Sequence, residues 1–265
     1  MFELRLLHQH RDLEAACALF ADVWHLAPSD SPINVEVLRA LVHNDNYLCG
    51  AFLDEVLVGG SVAFWGRDDQ GWLLHSHITG VRQESMGNGV GYAVKQHQRQ
   101  WTLDRGVARI TWTFDPLIRR NAYFNLARLG AAAVEYHEAF YGEMRDPINT
   151  GDESDRCVAV WNLHSNPNVS TNAVPVDQNS VAFCTTILDR DGGGWPVEKP
   201  GGIGSDAALL RAYVPSDIEL LRATEMSKAL AWRRSLRATF GEALHNGYFA
   251  ETMTRDGWYT LRRAY

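Results

Sequence analysis

Two short stretches hold the residue types that chemistry needs. The first is Met86-Gly87-Asn88-Gly89-Val90-Gly91, with glycine at three alternate positions between a strand-like run and a helical pattern. The first N–H groups of a helix have no partner within it, and the helix dipole favours negative charge beside them. Glycine lets a bulky anion approach the backbone. This stretch therefore fits binding of a phosphate or diphosphate, although the same spacing also serves a plain strand-to-helix turn. The second stretch is His75-Ser76-His77 within the run Trp72 to Val81. Strand alternation predicts Leu73, His75, His77, Thr79 and Val81 on one face. An imidazole titrates near ~6.5 and suits a base or proton relay. Core histidines satisfied by hydrogen bonds, or a metal pair, would use the same pattern, and no third metal ligand stands close by in sequence.

Spacing discriminates among phosphate sites. The run G-x-x-x-x-G-K-[S/T] is absent, which argues against a P-loop. The glycines read G-x-G-x-G, and Tyr92 fills the third position of a dinucleotide fingerprint. Further polar candidates lie downstream. Asn121 and Asn125 are one helical turn apart, with Tyr123 and Phe124 between them. Thr113 and Asp115 share a face at the end of a strand, where sites gather in open sheets, and Asp115 is also placed to cap the next helix. The segment Tyr141 to Arg156 is dense in polar residues; Arg145 or Arg156 suits a carboxylate clamp, or the segment is a solvated loop with local ion pairs. Arg233, Arg234 and Arg237 sit on a helix with an apolar stripe, which reads as a packing or dimer element rather than a nucleic-acid surface.

The elements that must position these residues follow from periodicity. Leu13 to Trp24 and about Asn34 to Val42 read as amphipathic helices, with Asp12 as a cap for the first. Tyr47 to Leu53 and Val56 to Trp65 read as a hairpin joined through Asp54-Glu55. Trp72 to Val81 is a strand, Gly87 to Arg105 a helix ended by Gly106, and Val107 to Phe114 a strand broken by Asp115-Pro116. A short helix, Ile118 to Leu129, stops at Gly130. Strands follow at Ala131 to Tyr136 and Cys157 to Leu163. Residues 164–179 are rich in Asn, Ser, Thr and Pro and read as a linker. Beyond it come strands near Val181 to Leu188 and Leu209 to Val214, a glycine-rich loop between them, a helix from Glu225 to His245, and a last strand from Tyr248 to Leu261. The predicted organisation is 1–163, a linker at 164–179, and a C-terminal α+β unit at 180–265.

Composition narrows the function. The 265 residues carry 25 Lys and Arg against 32 Asp and Glu, a formal charge of −7 that gives no basic footprint for nucleic acid. Cys17, Cys49, Cys157 and Cys184 form no C-x-x-C and lie in apolar sequence, as reduced core thiols of a cytoplasmic protein do. The start of the chain has no apolar signal region, and no apolar run reaches the ~18 residues of a membrane span.

Val81-Arg82-Gln83-Glu84-Ser85-Met86-Gly87-Asn88-Gly89-Val90-Gly91 resembles the acetyl-CoA motif of the GNAT superfamily, and the order of elements over residues 1–163 is similar. His75-Ser76-His77, Thr113-Phe114-Asp115-Pro116, Asn121 to Leu126, Tyr141 to Asp146, Trp232-Arg233, Arg237, Phe240 and Gly247-Tyr248 resemble a branch of that superfamily with a C-terminal extension. The resemblance implies an α+β fold with a mixed, mostly antiparallel sheet flanked by helices, and a smaller C-terminal α/β appendage. It implies transfer of an acetyl or succinyl group from acyl-CoA to a small-molecule amine such as an amino acid, without a metal, nucleic acid or membrane. It places the CoA diphosphate at Met86 to Gly91, the pantetheine arm at Thr79 and Val81, and Asn121 and Phe124 beside that arm. His75, His77 and Tyr123 are then the candidate proton carriers, and Asp115, Arg145 and Arg156 the acceptor contacts. A catalytically silent CoA sensor is the alternative, and a homodimer is the assembly considered. The sequence departs from the superfamily pattern at Glu84, where Gln or Arg is common, at Met86, where Arg is common, and at Leu126, where many relatives place a general-acid Tyr.

Overall fold

The computed structural model describes residues 2–142, 151–164, 184–204 and 207–264. The chain forms two compact units, one of residues 1–112 and one built from residues 113–145 and 149–265.

The first unit runs β1 (Glu3–Leu6), α1 (His10–Val23), α2 (Val35–His43), β2 (Tyr47–Leu53), β3 (Val56–Asp68), β4 (Gly71–Val81), α3 (Val90–Leu103) and β5 (Arg109–Phe114). The boundary between the units falls inside β5, after Trp112. Strands β1 to β4 pair antiparallel in sequence order, and β5 runs parallel to β4. The β2–β3 hairpin closes through Asp54 and Glu55, at φ 48° and 64°. Both signs match the two-residue turn whose twist suits a hairpin. Asn34 caps α2 by accepting from the Val37 N–H at 2.8 Å. Gln9, not Asp12, precedes α1 as its cap position, so Asp12 lies in the first helical turn. Helix α1 buries Leu13, Ala16, Leu19 and Phe20 against Leu48, Phe52, Val62 and Ile78 of the sheet. Helix α3 covers the other face, where Val90 and Val94 meet Ala51 and Val58. The β-carbon of any side chain at Gly59 would stand 2.9 Å from the Val90 methyl, so glycine there is what lets α3 begin so close to β3.

The second unit begins with α4 (Arg119–Ala122), which widens into a π-helical turn at Tyr123–Arg128. Its strands are β6 (Ala132–His137), β7 (Arg156–Asn162), β8 (Thr185–Arg190), β9 (Pro196–Glu198), β10 (Leu209–Tyr213), β11 (Tyr248–Met253) and β12 (Trp258–Arg263), in the order β7-β6-β11-β12-β10-β8-β9. Residues 248–261 are therefore two strands of a hairpin, not one, because Asp256-Gly257 turns the chain, with Gly257 at φ 104°. The predicted helix from Glu225 to His245 is preceded by α5 (Ile218–Thr224) and is itself divided into α6 (Met226–Leu236), a π-helical turn at Arg237–Gly241 and α7 (Glu242–His245). Trp232 and Phe240 are fully buried, and Phe240 packs on Tyr136 and Tyr259. Strand β11 pairs with β6 at Ala250 and Ala133, so β6 and β7 are grouped with the C-terminal strands, a different division from 1–163 and 180–265. Most of the linker at 164–179 lies outside the described residues.

Candidate active site

The first unit holds an opening in its sheet. Strands β4 and β5 pair at Leu74 with Ile110 and at His75 with Thr111, and no further pair is formed, although β4 continues to Val81. The edge of β4 from Ser76 to Val81 thus has backbone donors and acceptors that β5 does not meet. Such groups need partners, and an extended, amide-bearing molecule can supply them in the way an added strand does.

A bulge sits at the point of parting. Val62 of β3 pairs with Ile78 while Ala63 pairs with Ser76, which leaves His77 as the extra residue. The strict alternation predicted from Leu73 to Val81 fails here. Ser76 and Thr79 reach the α3 side, through Lys95 and through Ser61, which binds Gln98. Val81 packs there too, in the cluster with Val90 and Val94. Ile78 and the backbone of Gly80 face α1. His75 and His77 stay together, with ring centroids 6.2 Å apart and both against Phe64, on the face away from α3. The bulge therefore separates Thr79 and Val81 from the two histidines.

Both imidazoles are held neutral. Burial lowers the His75 pKa to about 4, and the neighbouring His77 and Lys95 charges add to the effect. Surrounding protein also lowers His77, although its ring remains accessible to solvent. His75 Nδ1 lies 3.2 Å from Thr111 Oγ1 on β5, which ties the ring to the last paired rung. Among the described residues no group of three or more His, Cys, Asp or Glu is placed to hold a metal ion.

At the far end of β4 the chain makes a short 3-10 turn, Gln83–Ser85, and then enters α3. Helix α3 starts at Val90 rather than Gly87, because Gly87 and Gly89 both take left-handed conformations, at φ 80° and 81°. Side chains with a β-carbon are strained in that region. No atom would lie within 4 Å of a β-carbon at either glycine, so the space beside the turn is open. Gly89 occupies the cap position with no side-chain cap, and the first turn of α3 carries no acidic residue. Its leading N–H groups are thus presented to the open side without a competing carboxylate. Met86 and Asn88 are exposed. Arg82 is engaged by Asp22 at 2.6 Å and by the Leu57 carbonyl at 3.0 Å.

Beneath the parting strands, on the α3 side, lies a polar group that sequence reasoning missed. Lys95 is 3% exposed, and its Nζ donates to Ser76 Oγ at 2.9 Å and to Gln98 Oε1 at 3.1 Å. The same ammonium stands 4.1 Å from the ring centre of Trp112 on β5. Burial lowers its pKa to about 7. A lysine on an amphipathic helix is ordinarily read as surface. The available signal was the polar row Gly91, Lys95, Gln98, Thr102, which adjoins the apolar row Val90, Val94, Trp101 at helical spacing.

The remaining predicted residues belong to the second unit. Asp115 does not contact an acceptor. It is buried in an ion cluster with Asp152, Arg222 and Arg233, and both its oxygens are engaged, at 2.6 to 2.9 Å. Burial alone would raise the Asp115 pKa, but the Arg233 and Arg222 guanidiniums hold it well below the usual carboxylate range. Arg156 is likewise buried, donating to the Asp155 carbonyl at 2.9 Å and lying over the Tyr141 ring. The sequence showed charged residues there but not their partners, which lie up to 118 positions away. Arg145 lies outside the described residues. Tyr123 is half-buried, and its hydroxyl accepts from Arg255 Nε at 3.1 Å. Asn121 is exposed and Phe124 half-buried, whereas Leu126 is 2% exposed within the π-helical turn. Thr113 and Tyr141 join their hydroxyls at 2.9 Å.

Solved structures share this frame. An acetyltransferase of the GNAT family from Streptococcus pneumoniae superposes with a TM-score of 0.50 at 12% identity, over 61% of this chain and 99% of that one. A probable acetyltransferase from Staphylococcus epidermidis gives 0.50 at 16% identity, over 61% and 99%. The fold is the GNAT fold. An N-acetyltransferase from Staphylococcus aureus is similar to the same degree, at 0.50 and 12% identity, over 62% and 99%. No protein-family model matches the sequence, and no curated protein does. The GNAT fold thus occupies somewhat over half of the chain, and the remainder is additional to it. Among the described residues no helix is long and apolar enough to cross a membrane.

Proposed function

We propose that the chain is an acyl-CoA-dependent N-acyltransferase that acts on a small-molecule amine. The observation that carries this reading is the parting of β4 from β5 beyond His75, with the open glycine turn at the far end of the same strand. The residues present fit CoA. The backbone from Met86 to Gly91 would hold the diphosphate, with Gly87 and Gly89 supplying the conformation and the room. The unpaired edge of β4 around Thr79 and Val81 would hold the two amides of the pantetheine arm. Bound acyl-CoA supplies an acyl group activated as a thioester.

The acceptor must be neutral at nitrogen to attack, and an alkylammonium with a pKa near ~10.4 is mostly protonated at pH 7. His77, accessible and held neutral, is the proposed proton acceptor; His75, anchored to Thr111, positions it. The bulge turns backbone at His77 out of the β3 ladder, which leaves an N–H for the carbonyl oxygen that becomes negative during transfer. Tyr123, Asn121 and Phe124 remain candidates from the second unit. Acetyl or succinyl are the acyl groups considered, and an amino acid is the acceptor class considered.

Calorimetric titration with acetyl-CoA and succinyl-CoA tests the first part; absence of heat with both, at high protein concentration, removes it. Thiol release with a panel of amines tests the second. A CoA-binding protein without chemistry is the competing reading, favoured by the buried Leu126 where a general-acid tyrosine is expected. It predicts binding without thiol release for any amine.

A further inference from the structure

We infer that Lys95 and Ser76 form a proton-supplying pair for the thiolate that leaves where β4 and β5 part, an inference that rests on the acyl-CoA reading above. Ser76 follows the last paired residue of β4, and Trp112 follows the last paired residue of β5. Lys95 touches both, bonding the Ser76 hydroxyl and standing over the Trp112 ring. It therefore marks the closed end of the opening. The glycine turn lies beyond the other end of β4, past Val81. Ser76 and Val81 pair with Ala63 and Gly59, four rungs apart on β3 because His77 is the extra residue, a span of about 14 Å at ~3.4 Å per residue. The extended arm between a CoA diphosphate and its sulfur is of that order, so a diphosphate at the turn brings the sulfur to the Ser76 end.

The hydrogen bonding there is directional. Lys95 Nζ donates to Ser76 Oγ, which leaves the Ser76 proton to be given elsewhere. Gln98 Oε1 takes a second Nζ proton, and Gln98 Nε2 is fixed in turn by Ser61 on β3 at 3.3 Å. Among the described residues no carboxylate pairs with Lys95. The titratable neighbour whose charge couples to it is His75 on β4, whereas β3 and β5 present Ser61 and Trp112. A lysine whose charge is balanced by hydroxyl, amide and ring alone gives up a proton far more readily than an ion-paired one. Burial brings it to about 7, where both forms are populated at neutral pH.

The step balances. The acceptor nitrogen bonds to the carbonyl carbon and loses a proton to the histidine side or to water. The C–S bond breaks, and its electron pair passes to sulfur. Ser76 Oγ–H protonates the sulfur and is refilled from Lys95 Nζ, which becomes neutral and later regains a proton from solvent. In this scheme Ser76 touches the reacting sulfur, and Lys95 acts through it. The buried Leu126 then needs no substitute hydroxyl on its own helix.

The test needs no acceptor. CoA is titrated with base on the intact protein, and formation of its thiolate is followed by ultraviolet absorbance, with desulfo-CoA subtracted to remove the protein's own cysteines. In the wild-type protein a fraction of the bound CoA thiolate is expected to form near pH 7, while Lys95 still carries its charge, so that the apparent midpoint falls below that of free CoA. Lys95→Met should return the midpoint to or above that of free CoA, and Ser76→Ala should return part of it, with calorimetric CoA affinity changed less than threefold in each. Equal midpoints in wild type and Lys95→Met, with CoA bound to both, overturn the inference and leave the acyl-CoA reading standing. Loss of CoA binding in Lys95→Met alone, with the protein folded by circular dichroism, assigns Lys95 to shaping the opening and overturns the proton role. Absence of CoA binding to the wild type removes the acyl-CoA reading, and the inference with it.

Discussion

The two units bury charge in opposite ways. In the second unit Asp115 and Asp152 face Arg222 and Arg233, two anions against two cations, with side chains at most 5% exposed. In the first unit the buried Lys95 faces a hydroxyl, an amide and an indole. The neighbouring guanidiniums hold Asp115 well below the usual carboxylate range, so it stays ionised at neutrality and the cluster serves to fix how its helices pack. Among the described residues Lys95 has no carboxylate partner, and it is left able to change state at the very place where the sheet opens. Compensation thus marks structure, and incomplete compensation marks the part of the molecule suited to proton transfer.

Four measurements test this contrast. Removing one carboxylate from the compensated cluster should have the largest effect. Asp115→Ala leaves two buried guanidiniums against one carboxylate and should cost about 3–5 kcal/mol in urea unfolding; a loss under about 1 kcal/mol would show that the cluster is not what locks the second unit. Lys95→Met should move stability the other way, by roughly 2 kcal/mol at pH 6, because it removes an uncompensated buried charge. The folded pKa is about 7 against 10.5 for the unfolded chain. Between those values the unfolded chain holds a proton that the folded chain lacks, so wild-type stability rises with pH across that window. The variant should lose that rise in unfolding curves taken between pH 7 and 10; an unchanged slope would mean that Lys95 is not the group responsible.

Gly89→Ala should cost about 1–2 kcal/mol, since the added methyl has room but the left-handed backbone disfavours it. If the turn grips a diphosphate, acetyl-CoA affinity should also fall by about tenfold, which corresponds to ~1.4 kcal/mol; calorimetry with an unchanged Kd would detach the turn from binding. The smallest effect is expected at His75. Its pKa of about 4 lies below the ordinary 6.5, so the wild type loses stability as pH falls through that interval. His75→Asn should flatten the dependence of Tm between pH 6.5 and 4, because this partly buried ring no longer resists folding when protonated. A Tm profile that keeps its full slope in the variant assigns the acid sensitivity to another group.

The elements of the first unit were legible because each carries a strong local signature. Asp54-Glu55 sits between two apolar runs, and Gly87-Asn88-Gly89 stands between a strand and a helix; turn chemistry of this kind acts over a few residues. What escaped were features that depend on partners distant in sequence. The bulge at His77 is produced by the register of β3 and carries no mark in β4 itself. The burial of Lys95 depends on Ser76 and Trp112 arriving from two strands. Asp115 reads as a cap, and it does accept from the Leu117 N–H, but its larger commitment is to Arg222 and Arg233, more than 100 positions away. The strand β1 was missed because four residues give too short a pattern, and the hairpin of β11 and β12 because Asp256-Gly257 was passed over as a turn signal.

The extra residue at position 77 has a genetic corollary. Along β4, tolerance to substitution should follow odd and even positions in one phase before it and in the opposite phase after it, because Ile78 and Gly80 answer to α1 while Ser76, Thr79 and Val81 answer to α3. A deep mutational scan would record that parity reversal directly. Deleting the His77 codon would join Ser76 directly to Ile78, which already occupy adjacent rungs of β3, so both sets keep their faces; a deletion at this spot should be tolerated better than one elsewhere in β4, where it would exchange them.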